Sequence, residues 1–307
     1  MRYGVIGMGA IGGFYGAKLA HAGKEVHFLS HSDYQYVKER GLQVDSCDGS
    51  FHLPQINAYG AASDMPKCDV VLIGLKTVNN HLLPELLPPL LKEDTLVVLI
   101  QNGIGVEEDV QKIFPEVQLA AGLAFICSAK TEPGRVNHQC YGYINIGNYS
   151  CKQQEKIDEV VDDFRKAGVD ANEVEYLEAR WKKAVWNMPF NGMTVALNTQ
   201  TDILLQHPST LQLIKDQMME VIEAAQACGG QEHRRVVCRK DDLQHRPHDA
   251  LLAQHETGLR FQASDGDQLH LHSSHREGKG SGLSDEEAGD VGAGTEISGE
   301  QEVREEK

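Results

Sequence analysis

The chain has 307 residues, enough for two domains of roughly 150 residues each, and its 41% hydrophobic content can supply a packed core. A formal charge of −16 argues against nucleic acid or an anionic membrane surface as a partner. Seven dispersed cysteines with no CxxC pair argue against a disulfide framework or a structural zinc site, and point to a reducing, cytosolic compartment. The apolar stretch from Tyr3 to Ile11 runs into a glycine motif rather than a cleavage site, so no leader is expected, and no apolar run is long enough to span a bilayer.

Tyr3 to Gly7 reads as a strand, Ala10 to Ala22 as a helix stopped at Gly23, and Glu25 to Leu29 as a second strand. The first turn holds Gly7-Met8-Gly9-Ala10-Ile11-Gly12, a G-x-G-x-x-G pattern whose strand-to-helix setting marks a dinucleotide site. Gly7 permits the tight turn, Gly9 admits a pyrophosphate close to the backbone, and Gly12 lets helix and strand pack closely. The helix N-terminus adds N–H donors and partial positive charge. The second strand ends Leu29-Ser30-His31-Ser32, with no acid before Asp33 to hold a ribose 2′-hydroxyl. That hydroxyl–imidazole–hydroxyl set suits a 2′-phosphate, so NADPH is the expected cofactor and His31 a contact to it.

Asp69 to Leu75 and Thr95 to Ile100 are continuous apolar runs, as in parallel strands buried on both faces. Leu82 to Leu91 is apolar but broken by prolines. Gly122 to Ile126, Gly134 to His138 and Tyr141 to Ile146 read as short strands separated by turns. Gln153 to Ala167 is helical by period, and Ala179 to Leu197 and Thr210 to Cys228 are two longer helices. The last carries an apolar stripe of Leu211, Leu213, Ile214, Met218, Met219, Ile222 and Ala225. The expected architecture is α/β: a doubly wound parallel Rossmann sheet over residues 1–170, a truncated all-helical substrate domain over 171–230, and a tail over 231–307. That tail is rich in His, Gly, Ser and Glu, with no helical or strand period, and is expected to be disordered.

Lys183, Asn187 and Asn191 stand at i, i+4 and i+8 and share one helix face. One cation and two amides on a stripe can orient and protonate an oxyanion, which is what reduction of a keto acid needs besides a hydride donor. Cys127 has no base in evident arrangement and reads as a buried structural cysteine.

Leu75-Lys76-Thr77, Gln101-Asn102-Gly103-Ile104-Gly105 and Arg180-Trp181-Lys182-Lys183-Ala184-Val185-Trp186-Asn187 with Asn191 together resemble the 2-dehydropantoate 2-reductase (ketopantoate reductase) family, over about residues 1–229. The resemblance implies that Lys183 protonates the substrate carbonyl oxygen, that Asn187 and Asn191 bind the keto acid, and that Asn102 touches both nicotinamide ribose and substrate. It places Lys76 beside substrate or cofactor, although a surface lysine would look the same. Thr201 is a further departure, near where the family carries another asparagine. The implied activity is NADPH-dependent reduction of 2-dehydropantoate to (R)-pantoate, on the way to pantothenate and coenzyme A. Another branched 2-keto acid, or a non-catalytic NADP-binding protein, remain alternatives, and the oligomeric state stays open, a homodimer included.

The family's closing segment, with Ser-Met, Asp and Arg-Pro-x-Glu-Ile, is missing after Gly230. Shifting the reading by one nucleotide from His248 to Gln268 permits Met-Thr-Pro-Tyr-Ser-Pro-Ser-Met-Lys-Leu-Asp-Phe-Asp-Phe-Lys-Arg-Pro-Met-Glu-Ile. The His248–Asp249 overlap encodes only Met or Thr, and the Gln254–His255 overlap only Ser or Asn. A one-base frameshift near Gly229-Gly230 is therefore expected, with Met218, Met219 and Ile222 left exposed where the lost helices would have covered them; the alternative is a natural divergent tail in which His270, His272 and His275 bind a metal adventitiously.

Overall fold

The structure, a computed structural model, describes residues 1–228 in full and the backbone of 259–264 and 268–273. In chain order the strands and helices are β1 (Arg2–Ile6), α1 (Ala10–His21), β2 (Glu25–Leu29), α2 (Tyr34–Arg40), β3 (Leu42–Ser46), β4 (Phe51–Leu53), β5 (Asn57–Tyr59), β6 (Val70–Ile73), α3 (Leu83–Leu86), β7 (Leu96–Leu99), α4 (Val106–Ile113), β8 (Gln118–Glu132), β9 (Arg135–Asn148), α5 (Gln154–Lys166), β10 (Ala171–Val174), α6 (Tyr176–Ala196), α7 (Thr201–Gln206), α8 (Pro208–Cys228), β11 (Leu259–Ser264) and β12 (Gln268–Ser273).

β1 lies between β2 and β6, parallel to both, and the parallel run β5-β2-β1-β6-β7-β8 reverses its winding at β1. The crevice beside a reversal point, at the carboxyl ends of the strands, is where open α/β sheets take ligands. Both faces of the sheet are covered, which explains the unbroken apolar runs. Val70 and Leu72 pack with Tyr3, Phe14 and Phe164 on one face, and Val71 and Ile73 pack with Leu83, Leu87 and Val110 on the other.

The region read as three short strands is instead one long hairpin: β8 and β9 pair antiparallel through 15 and 14 residues, with register shifts after Phe125, Cys127 and Lys130. These bulges interrupt the alternation of faces and so hid the continuity of the strands. β9 continues the sheet by pairing in parallel with β3 at its start and with β10 at its end.

After β10 the chain is helical through Cys228. Glu175 caps α6, its carboxylate accepting from the Leu177 and Glu178 N–H groups at 3.1 and 2.6 Å, so the helix begins three residues before the expected Ala179. α8 folds back along α6, and the expectation of an exposed stripe fails: Met218 and Ile222 are buried with Val185, Phe190, Met193, Leu204 and Ile214, and Met219 is partly covered. The apolar face of α6 already supplies their partners. The apolar side chains left exposed here are Met188, Val195, Leu197, Ile203 and Leu213.

Most of the expected tail lies outside the described residues. β11 and β12 are the exception, an antiparallel ribbon in which Phe261 pairs with Leu271. Leu-Arg-Phe-Gln-Ala-Ser and Gln-Leu-His-Leu-His-Ser both alternate apolar and polar residues, a strand period that reading the tail by overall composition missed.

Candidate functional site

The glycine turn has the build that a dinucleotide requires. Gly7 has φ +93°, and a Cβ there would lie 2.8 Å from the Leu75 nitrogen; a Cβ on Gly12 would lie 2.2 Å from the Gly7 carbonyl oxygen. Gly9 faces open space, with nothing within 4 Å of an added Cβ. No side-chain hydrogen bond caps α1 and no acid stands in its first turn, so among the described residues the turn from Met8 through Ala10 and Ile11 carries no acid of its own. These features fit a pyrophosphate.

At the end of β2 the structure separates the three residues read together. Ser30 is buried, Ser32 donates its hydroxyl to Asp33, and His31 stands exposed. Asp33 is 4% exposed and turns toward the hairpin, accepting from Lys130 Nζ at 2.7 Å and the Gly134 N–H at 3.1 Å. Burial pushes its pKa up, but these hydrogen bonds outweigh it and hold the carboxylate below its ordinary range. The nearest acid to the second strand's end is thus committed to an ion pair.

Lys76 and Asn102, both exposed, follow β6 and β7 at the same sheet edge. Thr77 Oγ1 donates to the Asn102 carbonyl at 3.0 Å, tying the two loops together. Behind them buried Gln101 donates to the Leu75 carbonyl at 2.8 Å and exchanges hydrogen bonds with Asn80 at 2.7 and 3.2 Å.

Lys183, Asn187 and Asn191 line one cavity of about 410 Å³ together with Asn102, as their helical spacing requires. The opposite wall is β8 from Ala124 to Cys127, where the hairpin bulges, with Tyr141 at φ 63° across from it. Lys183 Nζ donates to the Ala124 carbonyl at 2.5 Å. Burial, and then the nearby Arg180 charge, lower its pKa from 10.5 to about 7. A lysine so placed exchanges a proton near neutrality. Cys127 is buried in the wall, as expected of a structural cysteine. Lys76, His31 and the glycine turn are not in the lining of this cavity; they occupy the strand edge leading to it.

Several contributors escaped the sequence reading. Arg180 is 2% exposed and pairs with fully buried Glu107, while its other Nη donates to the Gln101 carbonyl at 2.6 Å. Tyr176 donates to the second Glu107 oxygen at 2.9 Å. This network fastens α6 to the loop carrying Asn102, and nothing in a lone Arg and a Glu 73 residues apart announces it. Asn198, at φ 45°, and Thr201 also line the cavity. An asparagine tolerates that left-handed conformation better than most residues, which is its only sequence signal.

Comparison with known proteins agrees along the chain. The family model for ketopantoate reductase PanE/ApbA matches residues 3–150. That for the ketopantoate reductase PanE/ApbA C terminal matches residues 175–264. The chain is 46% identical over 234 residues to the 2-dehydropantoate 2-reductase of Nostoc sp. (strain PCC 7120 / SAG 25.82 / UTEX 2576), covering 74% of this chain and 73% of that protein. The crystal structure of 2-dehydropantoate 2-reductase from Geobacter metallireducens GS-15 superposes with a TM-score of 0.77 at 35% identity, over 86% of this chain and 85% of that one. The ternary structure of D-mandelate dehydrogenase with NADH and anilino(oxo)acetate shares the fold, with a TM-score of 0.65 at 20% identity over 78% of this chain and 84% of that one.

Proposed function

The chain belongs to the ketopantoate reductase family, and from that premise we propose that it reduces 2-dehydropantoate to (R)-pantoate with NADPH, Lys183 acting as the acid. The convergence of Lys183, Asn102, Asn187 and Asn191 on one cavity carries this reading. The turn from Gly7 through Met8, Gly9, Ala10 and Ile11 to Gly12 would hold the pyrophosphate, His31 the 2′-phosphate, and Asn102 and Lys76 the nicotinamide end. Bound NADPH supplies the hydride that C2 accepts.

The remaining work falls to the protein's own side chains. The Lys183 ammonium donates its proton to the keto oxygen, which becomes the hydroxyl, and the amine left behind is the form that burial favours. The Asn187 and Asn191 amides orient the substrate from the same face as the acid. Phe125, Ile126, Trp186 and Phe190 form an apolar wall beside Lys183, which strengthens these contacts by excluding water.

The defining experiment follows NADPH oxidation with 2-dehydropantoate and a panel of branched 2-keto acids, using the chain as it stands and a version with the reading frame restored after Gly230. The frame-restored chain should turn over fastest with 2-dehydropantoate, since the serine and glutamate implied by the shifted segment return. No oxidation of NADPH by either chain would remove the reading.

Two further outcomes follow. The acid must be protonated, so kcat/KM for reduction should fall about tenfold per pH unit above about 7; a flat profile through pH 9 would exclude Lys183. With Asp33 committed to an ion pair, the described residues at the end of β2 offer no acid for a ribose 2′-hydroxyl, so NADPH should bind more tightly than NADH in a fluorescence titration. Equal or tighter binding of NADH would release Asp33 from that assignment.

A further inference from the structure

We propose a Zn²⁺-type metal site outside the catalytic cavity, where the β3–β4 turn meets β9, with Cys47, Asp48 and His138 as its ligands. The parallel register sets Ser46 opposite His138, so the next two residues of the turn arrive at the imidazole. Cys47 Sγ lies 3.8 Å from His138 Nδ1 and 3.7 Å from Asp48 Oδ1, and His138 Nδ1 lies 4.0 Å from Asp48 Oδ2. Tetrahedral Zn²⁺ with bonds of about 2.0–2.3 Å spaces its ligands at roughly 3.3–3.8 Å. With one oxygen taken from Asp48, the three donor atoms lie within 4.8 Å of one another, so the exposed turn closes by up to about an ångström on the ion, and a fourth position remains for water.

The orientation of His138 is a second, independent observation. Its Nε2 is within 3.2 Å of the Cys140 carbonyl, to which only an N–H can donate. The lone pair thus sits on Nδ1, the nitrogen 4.0 Å from Asp48 Oδ2; Cys47 Sγ lies 3.8 Å from Nδ1 and 4.0 Å from Nε2, and swings to the Nδ1 side on binding. A second-sphere carbonyl fixing the tautomer in this way is how metal-binding imidazoles are usually held. The ring itself is fixed by burial and by Phe14, 4.4 Å away between centroids. The Ser46 hydroxyl, 2.8 Å from Nδ1, occupies that lone pair in the structure, and its side chain rotates away to another rotamer when the metal enters. Cys47 and Asp48 are exposed, which gives the ion an open path.

A thiol, an imidazole and one carboxylate select a borderline-soft metal over Ca²⁺ or Mg²⁺. On binding, the Cys47 thiol gives its proton to the buffer and its sulfur to the metal.

Titrating the full chain with Co²⁺ tests the site. One equivalent should produce tetrahedral d–d bands and a thiolate-to-cobalt charge-transfer band, both erased by Zn²⁺. Cys47→Ser should abolish the charge-transfer band, and Cys47→Ser and Asp48→Asn should each weaken Zn²⁺ binding by more than about tenfold. Both changes lie on an exposed turn, so melting in the presence of chelator should match the parent and exclude misfolding. A charge-transfer band that survives in Cys47→Ser, unchanged Zn²⁺ affinity in both variants, or no saturable binding by the parent would each overturn the proposal.

Discussion

Lys183→Met is expected to lower reductase turnover by about 10²- to 10⁴-fold without lowering the melting temperature. Methionine keeps most of the volume of the lysine stem and removes an ammonium whose burial is unfavourable. The lysine pKa is about 7 in the folded protein against an ordinary 10.5. Between those values the unfolded chain holds the proton and the folded chain releases it, so the parent should gain stability as pH rises from about 7 toward 10.5. The methionine variant should lack that gain. Turnover measured beside melting curves across this window separates a catalytic lysine from a structural one. Loss of activity together with loss of stability would mark Lys183 as a packing residue.

Arg180→Met should be the most destabilising of the changes considered, by about 3–5 kcal/mol, because it strands the Glu107 carboxylate in the interior. For a domain of this size that corresponds to a fall in melting temperature on the order of 10 °C. Arg180→Met combined with Glu107→Gln should recover much of the loss, since no buried charge is then left unpaired. The double variant carries a second signature. Without the Arg180 charge, Lys183 is depressed by burial alone, so the descending limb of the kcat/KM profile should move to higher pH. Restored stability with an unmoved limb would show that Arg180 braces α6 without acting on the acid.

Legibility in the sequence tracked the range of the interaction. β2 keeps its expected span of Glu25–Leu29, and α1 starts at the glycine motif, because both are set by residues within a few positions of one another. The Lys183 stripe was legible for the same reason: helical geometry alone puts i, i+4 and i+8 on one side. The glycine turn and the Asn102 loop follow from the carboxyl ends of β1 and β7, each marked by a short apolar run. What stayed hidden depends on long-range pairing. The β8–β9 hairpin is broken by bulges, so its period lapses where it is continuous. Nothing near Asp33 in the sequence shows that Lys130 and Gly134, on the β8–β9 hairpin, claim its carboxylate. Met218 and Ile222 looked uncovered when α8 was considered without α6. Cys47, Asp48 and His138 show no spacing motif, since two of them arrive on a turn and the third on a strand some ninety positions later.

The long strand β8 behaves as a yardstick. Its Ala124 carbonyl holds the Lys183 ammonium, and six residues on, its Lys130 side chain holds Asp33 at the rim of β2. At about 3.3 Å per residue the two grips stand at most roughly 20 Å apart along a single segment, and the bulges after Phe125 and Cys127 shorten that span. Substitutions between them alter a wall of the cavity but leave that length intact. An insertion or deletion of one residue between Ala124 and Lys130 would instead move one grip relative to the other by a full step and turn the following side chains to the opposite face. This stretch should therefore accept changes of residue far more readily than changes of length, and a single inserted residue should uncouple the two ends of the site while leaving the sheet core on either side in place.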